Sequence, residues 1–175
     1  MKNNVIKLLA AIIAVTLTVG ANAQFKYVGA DGCKMCHNKP AKGDQYNTWL
    51  NGKHAKAFSL LKTEAEKKDP KCLSCHSTFG SVAAADISGR TFAATEGVSC
   101  ESCHGPGSAY KAPAVMKDQG IAKSKGMIIP SQSTCDKCHD DAKKPSGHKV
   151  LTKRNFVYDA KTQKFDHKTG TVVAR

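Results

Sequence analysis

The chain has 175 residues, 27 Lys and Arg against 14 Asp and Glu, a formal charge of +13, and only one Trp and six Phe. One ordinary domain fits that length, but a core built from protein alone would be thin. The lysines are spread along the chain with no basic helix interleaved with aromatics, which argues against a nucleic-acid partner and leaves a solvated surface suited to acidic proteins.

The first segment reads as a secretory signal. Lys2 and Lys7 form a short basic region, Val5 to Val19 is almost wholly apolar, and Ala21-Asn22-Ala23 supplies the small residues that a signal peptidase reads. The apolar run falls short of the ~20 residues of a membrane span. Cleavage is expected after Ala23, leaving a mature chain of 152 residues with 25 basic and 14 acidic side chains, a charge of +11. The expected organisation is a signal peptide at residues 1–23, one domain at 24–155 and a tail at 156–175. No membrane span is expected in the mature chain.

The pattern from residue 44 to residue 68 predicts a helix with a break at Asn51-Gly52 and an inward face of Trp49, Ala57, Leu60 and Leu61, ended by Asp69-Pro70. Residues 105–107 read as a turn. Ala109 to Lys117 predicts a short helix despite Pro113, and Gly120 to Ser133 a surface loop. In the tail, Phe156-Val157-Tyr158 and Lys164-Phe165 predict a small hairpin about residues 159–163, with a second turn at 166–170 before Thr171-Val172-Val173.

All eight cysteines fall in four CxxC pairs, each followed at once by histidine: Cys33/Cys36/His37, Cys72/Cys75/His76, Cys100/Cys103/His104 and Cys135/Cys138/His139. Disulfides and tetrahedral zinc sites also use paired cysteines. Neither needs a histidine in the next position, and only seven histidines exist in the whole chain. Covalent attachment of c-type haem needs all three residues. The thiols form thioethers to the two vinyl groups, and the histidine becomes the proximal ligand of the iron. Four covalent haems are therefore expected. They would fill the thin interior, and their propionates would add roughly −8 of charge.

The second axial position separates a wire from a catalyst. Three histidines remain for four irons: His54, His148 and His167. His54 lies in the predicted helix, His148 follows the flexible Pro145-Ser146-Gly147, and His167 lies in a turn-like charged segment. All three are candidate distal ligands, each set against the plainer reading of an exposed histidine. Met116 and Met127 read as packing or loop residues rather than ligands, and Met35 is locked inside its motif.

The chain resembles the multihaem cytochromes of the cytochrome c-554 family. The resemblance is carried by the four spaced motifs, by Trp49-x-x-Gly52-x-His54-x-x-Ala57, and by Gly97-Val98-Ser99-Cys100-Glu101-Ser102-Cys103-His104-Gly105-Pro106-Gly107. It covers roughly Gly32 to His139. It implies a mainly α fold with little regular sheet, wrapped around four stacked haems that pass electrons in the periplasm, and it implies that His54 is a distal ligand. Members of the family often carry a histidine just after the Gly-Pro-Gly, where this sequence has Ser108-Ala109-Tyr110. One haem is accordingly expected to lack a distal histidine, or to be capped by His148 instead, with Tyr110 either packed on a haem face or a rare phenolate ligand.

The expected function is a periplasmic electron carrier, rather than an enzyme, working between redox proteins that are periplasmic or membrane-associated. The alternatives are an enzyme acting on a small nitrogen compound at one open iron, and a subunit of a larger respiratory complex.

Overall fold

The computed structural model describes residues 25–88, 94–143 and 148, together with the backbone of two strands at 163–166 and 171–174. The signal segment, Phe156 to Tyr158 and His167 lie outside the described residues. The described residues form a run of short helices joined by turns: α1 (Ala30–His37), α2 (Gln45–Asn51), α3 (Pro70–His76), α4 (Cys100–His104), α5 (Pro113–Met116), α6 (Gln119–Ser124) and α7 (Gln132–Cys135). Single 3-10 turns punctuate them, among them Ala57–Leu60 and Ala94–Glu96. In the tail, β1 (Gln163–Asp166) pairs antiparallel with β2 (Thr171–Ala174), Phe165 opposite Val172.

None of these helices is long enough to be stable alone, since isolated helices below about 12 residues are marginal in water. Their ends are set by local chemistry. Asp69 accepts a hydrogen bond from the Lys71 N–H, and Pro70 occupies the first turn of α3, where a missing N–H costs nothing. Asp69-Pro70 therefore starts a helix as well as ending the segment before it. Pro113 likewise opens α5 rather than interrupting a helix from Ala109. Asp118 caps α6 through the Ile121 N–H, so a helix occupies residues expected to be loop. Ser131 and Thr134 form a capping box at the start of α7.

The segment from residue 44 to residue 68 differs most from expectation. The α-helix ends at Asn51, and Gly52 leaves it with extended backbone. The chain then turns so that the His54 carbonyl accepts from the Val98 N–H at 2.9 Å, while the Trp49 indole donates to the Val98 carbonyl at 2.7 Å. Those two long-range bonds replace the local ladder that a continued helix would have made. Ala57 and Leu61 are buried, Trp49 is half-buried and Leu60 is exposed, so the predicted inward face holds only in part.

The buried apolar set is small, with Val28, Tyr46, Leu61, Leu73, Phe79 and Tyr110 its larger members. Several large apolar side chains face outward, including Met35 at 75% exposure, Leu50 and Leu60. No helix among the described residues is long and apolar enough to cross a membrane.

One carboxylate organises the N-terminal part. Glu101, inside the third motif, is 2% exposed. Its two oxygens accept from the backbone N–H groups of Val28, Gly29 and Gly107 at 2.6–3.1 Å. The segment that carries Val28 is held on one side by Ser108, through Lys26 N–H to Oγ and Ser108 N–H to the Lys26 carbonyl. On the other side Tyr27 exchanges backbone bonds with Asp86 and Ser88. Glu96 adds a second anchor, taking the Ala30 N–H at 2.6 Å at the start of α1.

Candidate haem site

Three motifs sit on a helical turn of their own, at the end of α1, on α3 and on α4. The fourth starts at the end of α7 and continues the helical pattern, with the His139 N–H bonded to the Cys135 carbonyl at 2.9 Å. A helical turn brings the two cysteines of CxxC to one side, with the histidine one residue further round. All eight cysteines are free thiols, half-buried.

A motif histidine that is to ligate iron needs one ring nitrogen free for the metal and the other held. His76 Nδ1 faces the Ala57 carbonyl at 2.7 Å, His104 Nδ1 the Ile128 carbonyl at 3.1 Å, and His37 Nδ1 the Gln45 Oε1 at 3.3 Å. Opposite a carbonyl oxygen, Nδ1 carries the proton and donates, which leaves the Nε2 lone pair for a metal. Burial holds His104 in its neutral, ligating form, with nearby His37 pushing the same way.

The motifs come together in two pairs. Cys33 lies close enough to Cys100 for each thiol to perturb the other, Cys33 downward and Cys100 upward. Cys75 and Cys138 perturb each other likewise, Cys75 downward and Cys138 upward, and the Cys138 thiol donates to the Ser74 carbonyl at 3.8 Å. The first motif thus lies beside the third and the second beside the fourth, and Cys135 of the fourth acts on Cys103 of the third.

The expected haem-attaching cysteines do not all enter these pairs. Cys36, Cys72, Cys103 and Cys135 stand outside them, half-buried like the rest. Met35, next to Cys36, is the most exposed of the large apolar side chains. Cys36 lies three residues, about 4.5 Å, further along α1 than Cys33. Its side chain still shares a face with Cys33, as attachment to one porphyrin requires.

The spare histidines divide unequally. The ring of His54 lies 6.1 Å from that of His139, and the ring of His148 lies 5.8 Å from that of His76, centroid to centroid. His54 keeps solvent exposure, yet crowding by the surrounding chain, and then His139, hold its imidazole below the usual value. His167 lies outside the described residues. Tyr110 is buried, and its hydroxyl donates to the Gly105 carbonyl at 2.8 Å. Burial, then the neighbouring Cys33, hold its phenol protonated. Its hydroxyl is thus engaged by backbone, and Tyr110 packs beside the first and third motifs.

Glu101, Glu96 and Gln45 escaped the sequence reading. The signal for Glu101 was its setting, one carboxylate among the small residues of Gly97-Val98-Ser99 and Gly105-Pro106-Gly107. The two stretches that carry the family resemblance also touch each other. Gly97 has a left-handed φ of 73°, and a Cβ there would run into the carbonyl oxygens of Ala55 and His54. Only glycine lets the third motif approach so near the backbone of His54.

These residues fit haem on several counts. Among the described residues no three His, Cys, Asp or Glu side chains converge as a bare metal ion would require. Buried Asn38 Oδ1 and Ser99 Oγ, next to the first and third motifs, have no hydrogen-bond partner there. The outward-facing apolar side chains surround a protein core too small for the chain.

Paired thiols with an adjacent, oriented histidine define a c-type cytochrome, with covalently bound haem on CxxCH. The family described as cytochrome c554 and c-prime matches residues 32–105, which hold the first three motifs. Cytochrome c-554 of Nitrosomonas europaea is 29% identical over 160 residues, a stretch that covers 75% of this chain and 66% of that relative's length. Over these stretches the chain is similar to cytochromes of the c-554 family. No solved structure matches it.

Proposed function

We propose that this chain is an exported tetrahaem cytochrome that carries electrons between redox proteins in the periplasm. In this reading residues 1–23 are the signal, 24–155 the haem domain and 156–175 a tail. The eight motif cysteines, Cys36 among them, hold four haems, and His37, His76, His104 and His139 are their proximal ligands. His54, His148 and His167 are the distal candidates.

The observation that carries the reading is the orientation of three proximal imidazoles by Ala57, Ile128 and Gln45, each leaving Nε2 free. Bound haem supplies one-electron iron chemistry, its potential set by ligand, burial and nearby charge. The chain itself fixes ring orientation, keeps the motifs in pairs, and presents exposed Lys53, Lys56, Lys62, Lys68 and Lys71 around the second motif. Such a lysine cluster favours acidic partners and an association rate that falls with salt.

Mass spectrometry of the periplasmic protein tests the reading. Cleavage after Ala23 and a mass increment of four haems are expected, and a redox titration should account for four electrons. Fewer haems, or retention of residues 1–23, would overturn it. A carrier should oxidise stoichiometrically without turnover on nitrite, nitric oxide or hydroxylamine, whereas steady-state turnover would favour the enzyme.

A further inference from the structure

We propose, on the four-haem reading above, that Phe25 is a positioning residue for His104, the histidine of the third motif, and acts through the loop that carries Ile128.

His104 is held twice by one residue. Its ring Nδ1 donates to the Ile128 carbonyl at 3.1 Å, and its own carbonyl accepts from the Ile128 N–H at 2.8 Å. The place of Ile128 therefore decides where the His104 ring points. Ile128 lies in no helix and is 41% exposed, so its own burial does not fix it. Two other contacts hold its loop. Where α6 ends, the Met127 N–H donates to the carbonyl of fully buried Ala122 at 3.0 Å. On the flank stands the Phe25 ring. Gly126 has a left-handed φ of 93°, and a Cβ built there would stand 2.5 Å from Phe25 Cδ2. The ring thus closes directly on the Gly126 backbone, which only glycine allows. The Gly126 carbonyl in turn lies against Gly105, where a Cβ would stand 2.9 Å from it.

Phe25 is itself fixed by the residues that follow it. The Lys26 N–H donates to Ser108 Oγ at 2.8 Å, and the Ser108 N–H to the Lys26 carbonyl at 3.0 Å. The Val28 and Gly29 N–H groups reach the Glu101 carboxylate. The ring is therefore delivered by a strap tied to the motif it steadies. Those ties stand between Phe25 and α1, so loss of the ring should leave the first motif in place.

A carbonyl on Nδ1 makes an imidazole a stronger donor to iron and favours the oxidised metal. Loosening Ile128 should weaken that bond and shift the potential of one haem upward.

The test uses holoprotein in which the peptide with Cys100 and Cys103 is first shown by mass to carry haem. A bare third motif would overturn the four-haem reading and this role of Phe25 with it, whereas a loaded motif isolates the role. The readout is the shifted haem-methyl signals of the ferric protein in proton NMR, assigned to the third motif through contacts to Cys100 and Cys103. Phe25→Ala should move those signals, raise one of the four midpoint potentials and speed hydrogen exchange of the Ile128 amide. Phe25→Tyr, which keeps the ring, should restore the native values. Leu61→Ala, a core cavity elsewhere, should lower stability and leave the third haem's signals in place. Unmoved third-haem signals in Phe25→Ala, or equal movement of all four haems, would sink the proposal. So would the same movement in Leu61→Ala.

If Phe25→Ala cannot be recovered with haem, Phe25→Leu and the native protein decide. Phe25→Leu should move the same signals by less, and nuclear Overhauser contacts should join the native Phe25 ring to the Gly126 α-protons. Unmoved signals, or no such contacts, overturn it.

Discussion

The half of the molecule built on the first and third motifs and the half built on the second and fourth are held in different ways. The first is tied by polypeptide. Glu101 gathers three backbone N–H groups, Glu96 takes a fourth, and Tyr110 closes the Gly105 turn. In the second half, among the described residues, His76 is held by the Ala57 carbonyl and Thr78 by Gly97, Ser99 and Ser102, and the spare imidazoles gather there, His148 against His76 and His54 against His139. Protein hydrogen bonds stabilise one half, and axial ligation would stabilise the other. A small domain with little core needs one such device or the other in each half.

On the proposed four-haem reading, the sharpest way to break the contrast is to remove one attachment motif from each half. Cys135→Ala with Cys138→Ala should give a folded three-haem protein, because its neighbours lean little on the fourth motif. Cys100→Ala with Cys103→Ala should yield little soluble protein, since it unseats the helix that carries Glu101. Equal yields of the two, read by haem stain and mass, would erase the distinction.

Next in size is Glu101→Ala. It leaves three buried N–H donors without partners, at about 1–3 kcal/mol for each group so stranded, less whatever water enters. A loss of about 3 kcal/mol in urea unfolding is expected, and Glu101→Gln, which keeps one acceptor oxygen, should lose about half of that. A change below about 0.5 kcal/mol would mean the clamp is decorative.

Gly97→Ala should follow, at about 1–3 kcal/mol, because the backbone is left-handed there and the new methyl meets the carbonyls of Ala55 and His54. With His54 as a distal ligand, as proposed, the same variant should also raise the high-spin fraction of one haem in EPR, an effect that pure destabilisation would not confine to one haem.

Trp49→Phe is the smallest, about 1 kcal/mol, from the lost bond to the Val98 carbonyl. Visible spectra should be nearly unchanged. A large spectral shift would show that the indole positions His54 more tightly than one hydrogen bond implies.

Much of the chemistry was legible in the residues alone, because haem attachment depends on covalent spacing that no fold can alter. Cys33, Cys36 and His37 would read the same way in any structure. That Cys33 lies beside Cys100 was not legible, because it depends on where along α1 the other helix crosses. The helix boundaries were less legible too. The segment after Gly52 has helix-forming composition, but the backbone of His54 is spent on the distant Val98. The helix at Gln119–Ser124 was hidden by Gly120, whose cost is offset by the Asp118 cap. The role of Glu101 was invisible because its partners, Val28 and Gly29, are more than 70 residues away.

The sequence by itself determined the cofactor chemistry and the number of histidines outside the four motifs, since both follow from residue identity and number. Only the tertiary structure decided which motif stands beside which, where His54 and His148 point, and what occupies the Tyr110 hydroxyl. Those depend on hydrogen bonds between distant segments, and local sequence carries no record of how far a chain must travel to make them.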